Sequence, residues 1–151
     1  MVIKVGNNAP LFELVDQDGK AWNISDHLGK KVIVIFFYPK DDTPGCLKEA
    51  CAFRDSYEKF IQVGAEVVGI SSDDQRSHAE FAAKYKLPFR LLSDPDKKVR
   101  KAYGALDLFL PGRVTYVIDK QGVVRHIFSS QSQATKHIDE SLRVVQELTQ
   151  V

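Results

Sequence analysis

Cys46 and Cys51 are the only cysteines in the chain, and both fall in one short stretch, TPGCLKEAC, at positions 43–51. Cysteine can ligate a metal, exchange a disulfide or attack an electrophile. Paired redox thiols and zinc knuckles usually present Cys-x-x-Cys, where two sulfurs converge on one partner. Here the two lie five positions apart. In an intact helix that spacing means about 7.5 Å along the axis and about 140° around it. The Cα atoms are then roughly 8–9 Å apart, beyond the roughly 7 Å that a disulfide spans without backbone movement. The pair is therefore either two unrelated thiols or two partners at a helix start that unwinds.

The surrounding elements decide where these thiols sit. KVIVIFFY (31–38) is a continuous apolar run rich in β-branched and aromatic residues, as in a fully buried central strand. Pro39 to Gly45 break regular structure, and from Cys46 to Phe60 the apolar residues Ala50, Phe53, Tyr57 and Phe60 follow helical spacing. Cys46 thus falls in the first turn of a helix that follows a strand. AEVVGIS (65–71) reads as the next buried strand, and Ser72-Asp73-Asp74 offers caps for a helix over QRSHAEFAAKYK. FRLLSD is a short strand before a Pro95 turn, with a short helix over Lys97 to Tyr103. RVTYVID and VVRHIF form a hairpin across Lys120-Gln121-Gly122, and TKHIDESLRVVQELT is a closing amphipathic helix. At the front, LFELVDQDGKAWNI alternates on both sides of Asp18-Gly19, which predicts a hairpin with a primed turn. A calcium loop at Asp16-x-Asp18-Gly19 is disfavoured, because the downstream acidic ligands are missing. No repeat or linker interrupts residues 1–151, so one α/β domain with a mixed sheet is expected.

A reactive cysteine must be a thiolate, and a free thiol titrates near about 8.5. A helix N-terminus favours negative charge by about 0.3–1 kcal/mol, and by roughly 2 in the best settings. Lowering a thiol by two to three pH units takes roughly 3–4 kcal/mol. The helix start falls short, so a cation has to arrive from elsewhere in the fold. Lys40 and Lys48 are near in sequence; Arg90, Arg113 and Arg125 are distant. Spacing does not choose among them, although Arg113 stands out by following LFLPG at the start of an apolar strand.

Composition narrows the field. The 151 residues are 44% hydrophobic and 27% charged, and 21 Lys+Arg against 20 Asp+Glu give a net charge of +1. That balance argues against a nucleic-acid or membrane-surface binder, and no apolar run nears the roughly 18 residues of a membrane span. Two cysteines are too few for a secreted disulfide scaffold. The N-terminus, MVIKVGNNAP, lacks a signal-peptide core and an Arg/Ser-rich transit pattern. A cytoplasmic protein is expected, with the plastid stroma as the alternative if a transit peptide has been removed. His27, His78, His126 and His137 show no metal spacing and are expected on the surface or in the hairpin. No metal is expected, and a protease-like Cys–His pair has no local signature.

At this point the residues resemble a known family. YPKDDTPGCLKEACAFRD is similar to the active-site stretch of the peroxiredoxins, in the subgroup called peroxiredoxin Q or bacterioferritin comigratory protein. The pattern Pro-x-x-x-Thr-x-x-Cys is present as Pro39, Thr43 and Cys46, and the subgroup's second cysteine as Cys51. The likeness runs on through EVVGISSDD, KLPFRLLSDP, VRKAYG and GRVTYVIDKQGVVRHIF, and departs at Leu47, where a small polar residue such as Thr is expected. It implies a thioredoxin-like fold with an added N-terminal β-hairpin, and a thiol peroxidase without cofactor. By that resemblance Cys46 is the peroxidatic thiolate, Thr43 hydrogen-bonds thiolate and peroxide, Pro39 shields the sulfur, and Arg113 is the distant cation. Cys51 resolves the sulfenic acid as an intrachain disulfide, which thioredoxin or a similar dithiol reductant reduces. The subgroup is often monomeric. A peroxide sensor or holdase-like stress protein using the same thiol switch is the alternative, and turnover with a reductant separates the two.

Overall fold

The structure, a computed structural model, describes residues 3–105, 113–130 and 133–149. The LFLPG loop singled out above lies outside the described residues. In chain order the elements are β1 (Glu13–Val15), β2 (Ala21–Asn23), β3 (Val32–Phe37), α1 (Pro44–Gln62), β4 (Ala65–Ser71), α2 (Gln75–Tyr85), β5 (Arg90–Ser93), α3 (Lys98–Ala102), β6 (Val114–Ile118), β7 (Val124–Ser129) and α4 (Ala134–Thr149).

The strands form one seven-stranded mixed sheet in the order β2-β1-β5-β4-β3-β6-β7. β3 lies near its middle, parallel to β4 and antiparallel to β6, with all six residues buried. Its alternation feeds two cores. Val32, Val34 and Phe36 pack with Phe53 and Phe60 of α1, Phe81 of α2 and Val144 and Val145 of α4. Ile33, Ile35 and Phe37 pack on the other face with Val99 of α3, Trp22, Ile24 and Tyr103. A strand buried on both faces reads as an unbroken apolar run, which is why KVIVIFFY was legible. This is the expected thioredoxin-like arrangement, and the N-terminal hairpin extends it through a Val15–Ser93 pairing with β5.

The first hairpin departs from the expected turn. Val15 pairs with Ala21, Asp16 N–H donates to the Lys20 carbonyl at 2.8 Å, and Gly19 N–H donates to the Asp16 carbonyl at 3.0 Å. The loop therefore holds three residues, Gln17, Asp18 and Gly19, and not the two of a primed turn. Gly19 at φ +79° takes the left-handed position that follows a type I turn. The Asp16 side chain favours this by accepting from the Asp18 and Lys20 amides at 2.9 and 3.0 Å. The β6–β7 hairpin closes the same way, with Gly122 at φ +82°. The cap predicted in Ser72-Asp73-Asp74 is Asp74, which accepts from Ser77 N–H at 2.8 Å.

Candidate active site around Cys46

α1 starts in the loop that leaves β3. Thr43 is the N-cap and Pro44 the first helical residue, where its missing N–H removes a donor that has no helical partner anyway. Cys46 therefore sits in the first turn, as predicted, and its residue is only 1% exposed. Cys51 lies farther along the same helix, partly buried, and both thiols are free.

The cation that the fold brings to the Cys46 sulfur is Arg113. Its Nη2 donates to the Cys46 sulfur at 3.1 Å, and the residue is 4% exposed. Topology explains the meeting. β6 runs antiparallel to β3 with Val114 opposite Phe37, so the residue before β6 emerges beside the end of β3, where α1 begins. Gly45 permits the approach, because a Cβ built there would stand 2.8 Å from Arg113 Nη2 and 3.0 Å from Nη1. The other candidates are placed elsewhere: Arg90 pairs with Asp18 at 2.8 Å, Arg125 pairs with Asp119 at 3.2 Å, and Lys40 and Lys48 are exposed.

Three partners around Cys46 were not legible. Glu49, fully buried one turn beyond Cys46, lies 3.2 Å from Arg113 Nε and 3.3 Å from His137 Nδ1. Burial pushes its carboxyl up to about 8 despite the opposing pull of Arg113. Desolvation thus outweighs the ion pair, and Glu49 is protonated near neutral pH. Burial likewise pushes His137 down to about 4, so the ring is neutral; Nε2–H donates to the Ser130 carbonyl at 2.8 Å and Nδ1 accepts from the Thr115 hydroxyl at 2.7 Å. With Glu49 protonated and His137 neutral, neither draws the Arg113 charge from the sulfur. The third is Arg100, 6% exposed, which donates to the Tyr38 carbonyl at 2.6 Å and whose charge interacts with Cys46. A Glu or Arg in a helix ordinarily reads as a solvated face, and no local signal marks these as buried.

Two expected roles meet a different geometry. The Thr43 hydroxyl donates to the Lys40 carbonyl at 2.9 Å, which ties the loop rather than the sulfur. Pro39 is exposed, and the sulfur is buried by the core cluster that it joins with Tyr38, Ala50 and Phe53. The expectation of surface histidines fails for His78 and His137, both 0% exposed. Both nitrogens of each ring are matched by protein groups, which is what allows an imidazole inside a core.

A thioredoxin-like sheet with a buried thiol at a helix start, faced by an arginine, defines a class: thiol-dependent peroxidases. The chain matches the AhpC/TSA family over residues 5–127. It is 58% identical over 149 residues to the chloroplastic peroxiredoxin Q of Oryza sativa subsp. japonica, covering 97% of this chain and 68% of the rice protein. Against the chloroplastic peroxiredoxin Q of Populus jackii the identity is also 58%, covering 97% of this chain and 70% of that one. Among solved structures, the peroxidoxin BcpB of Mycobacterium tuberculosis superposes with a TM-score of 0.89 at 37% identity, over 97% of this chain and 98% of that one. The bacterioferritin comigratory protein of Xanthomonas campestris, described for its alkyl peroxide reduction activity, gives 0.84 at 28% identity over 92% of each chain. The chain belongs to the AhpC/TSA family, as a peroxiredoxin of the Q subgroup.

Proposed function

We propose that this peroxiredoxin reduces hydrogen peroxide and organic hydroperoxides at Cys46 and resolves the product through Cys51. The observation that carries the reading is the buried Cys46 sulfur at the α1 start, 3.1 Å from the Arg113 guanidinium. Fixed donors there hold the thiolate and meet the charge that develops on the leaving oxygen. The sulfur attacks the terminal peroxide oxygen; an S–O bond forms as the O–O bond breaks. Sulfur is oxidised by two electrons to the sulfenic acid, and the leaving alkoxide or hydroxide takes a proton from solvent. Cys51 then attacks the Cys46 sulfur, forming a disulfide and releasing water. A thioredoxin-type dithiol restores both thiols by exchange. Pro39 and Thr43 frame the loop that presents the thiol; Thr43 reaches the peroxide once its hydroxyl turns from the Lys40 carbonyl.

The strands of the described residues share one sheet, which supports a single domain, and a monomer is the assembly proposed for it, to be checked by its mass in solution. Among the described residues no helix is long and apolar enough to cross a membrane. The chloroplastic relatives favour the plastid stroma over the cytoplasm, and fractionation checks the choice.

The test is peroxide consumption coupled to thioredoxin and its reductase, with hydrogen peroxide and an organic hydroperoxide side by side. Wild type turns over continuously, and Cys46→Ser does not, because a serine hydroxyl is a far weaker nucleophile at neutral pH. A single burst without turnover would instead identify a peroxide sensor. Turnover by Cys46→Ser would remove Cys46 from its role.

A further inference from the structure

The loop that carries the thiol contains two adjacent aspartates, Asp41 and Asp42, for which the peroxidase chemistry has no use. Both reach across to α2. Asp41 is 8% exposed and is surrounded by donors: Tyr38 Oη at 2.6 Å on Oδ1, with Ser77 Oγ at 2.8 Å and His78 Nδ1 at 2.7 Å on Oδ2. The Asp41 amide in turn donates to Asp73 Oδ2 at 2.8 Å. The far nitrogen of His78, Nε2, is 3.0 Å from the Leu92 carbonyl on β5. Asp42 adopts φ +56°, a left-handed conformation that aspartate tolerates better than most residues, and accepts from Lys84 Nζ at 2.9 Å and Tyr85 Oη at 2.7 Å.

The His78 ring faces an oxygen acceptor at each nitrogen, and it is 0% exposed. One proton is therefore held between Nδ1 and Oδ2, and the other nitrogen donates to β5. The side-chain atoms of Asp41, Asp73 and His78 lie within 4.8 Å of one another, as in a metal site. Each is already engaged by protein hydrogen bonds, so the cluster is explained without an ion. What it joins is specific: the end of β3, the loop before Cys46, the start of α2 and β5.

We propose that Asp41 and His78 form a buried latch that fixes the loop between β3 and α1, and that His78 is thereby a positioning residue for peroxide attack at Cys46. The proposal rests on the peroxidase reading. Arg113 reaches the sulfur from the β6 side through contacts that involve neither Asp41 nor His78, so on the peroxidase reading the thiol stays nucleophilic without the latch. Peroxide attack additionally needs the loop and helix-start donors in register with the O–O bond. Losing the latch should therefore separate two reactivities that would otherwise move together.

The experiment uses the reduced full chain with Cys51→Ser, and follows Cys46 oxidation by hydrogen peroxide and Cys46 alkylation by iodoacetamide. His78→Phe keeps a ring of similar size but no donors, and Asp41→Ala removes the acceptor. In both, oxidation slows by about tenfold or more, since small misplacement of reacting groups costs up to about a hundredfold, while alkylation changes by less than about threefold. Asp41→Asn, whose amide can donate to a neutral His78, oxidises at least about fivefold faster than Asp41→Ala. Amide exchange speeds up across residues 39–46 in the two damaging variants while β4 and β6 keep their protection. If His78→Phe does not fold, Ser77→Ala, which removes one donor, shows a smaller slowing with the same separation of reactivities. Wild-type-like oxidation in folded His78→Phe and Asp41→Ala, or an equal fall in oxidation and alkylation, overturns the proposal. A wild type inert to peroxide instead defeats the peroxidase reading, and unchanged exchange at 39–46 then defeats the latch as well.

Discussion

The Arg113 guanidinium serves two groups one turn apart on α1, the Cys46 sulfur at 3.1 Å and the Glu49 carboxyl at 3.2 Å. While Glu49 keeps its proton it does not compete with the sulfur for that charge. Because burial pushes Glu49 up to about 8, alkaline pH creates a competing carboxylate. Above pH about 8, oxidation of Cys46 by peroxide is therefore expected to be slower than in Glu49→Gln, which stays neutral, with the gap opening as Glu49 ionises. Identical alkaline rates in both proteins, measured by stopped-flow oxidation, would exclude Glu49 from this role. Gly45 supplies a second expectation. Glycine to alanine inside a helix ordinarily stabilises by roughly 0.5–1 kcal/mol. Here the new methyl would stand 2.8 Å from Arg113 Nη2 and push the guanidinium off the sulfur. Gly45→Ala should keep or raise the melting temperature while slowing oxidation about tenfold or more, a split that general damage does not produce. A wild-type oxidation rate would show that Arg113 can give way at no cost.

At the scale of the element, α1 is one helix from Pro44 to Gln62 carrying both thiols, so a Cys46–Cys51 bond cannot form on it as it stands. Its two ends are held differently. Beyond Cys51 the fully buried Phe53 and Phe60 fasten it to the sheet, each worth about 1.5–3 kcal/mol of burial, and Arg54 donates to the Tyr85 carbonyl at 2.8 Å. Ahead of Cys51, Leu47 and Lys48 are only partly buried or exposed, although Cys46, Glu49 and Ala50 are buried. Oxidation is expected to unwind the first one to two turns and leave the rest, and to expose Leu47 as a surface for the proposed reductant. Amide exchange on reduced and oxidised protein measures this. Protection lost over residues 46–53 and kept beyond Tyr57 supports local unwinding, and equal protection in both states rules it out.

Across the whole molecule, α1, β6 and α4 meet at two buried titratable groups whose shifts oppose each other. Glu49 is raised from 4.5 to about 8, so the folded state binds more protons than the unfolded one between those values and stability falls as pH rises. His137 is lowered from 6.5 to about 4, so the unfolded state binds more protons there and stability rises with pH. The two contributions offset between about pH 4.5 and 6.5, and Glu49 acts alone from about 6.5 to 8. The melting temperature should therefore decline across that upper window, and Glu49→Gln should flatten the decline. A wild-type curve level from pH 6.5 to 8 would mean that Glu49 is already ionised in the folded state.

The sequence by itself determined what depends on near neighbours. The buried central strand, the helix start at Cys46, the Asp74 cap and the closing amphipathic helix all follow from residue periodicity and capping chemistry. So does the need for a cation, because the helix start alone is too weak to hold a thiolate. Residue identity near the turns was not enough for loop geometry; the Asp16 carboxylate, by gathering two amides, drew the first hairpin into a three-residue loop. Tertiary structure decided which cation meets the sulfur, since Arg113 stands 67 residues from Cys46 and arrives through the pairing of Val114 with Phe37. It also decided that Glu49, His78, Arg100 and His137 are interior residues, against the ordinary habit of charged and polar side chains. Burial of such a group is set by partners supplied from other elements, such as Asp41 and Leu92 for His78, or Thr115 and Ser130 for His137. Those partners are distant in the chain, and only the folded sheet brings them within hydrogen-bonding reach.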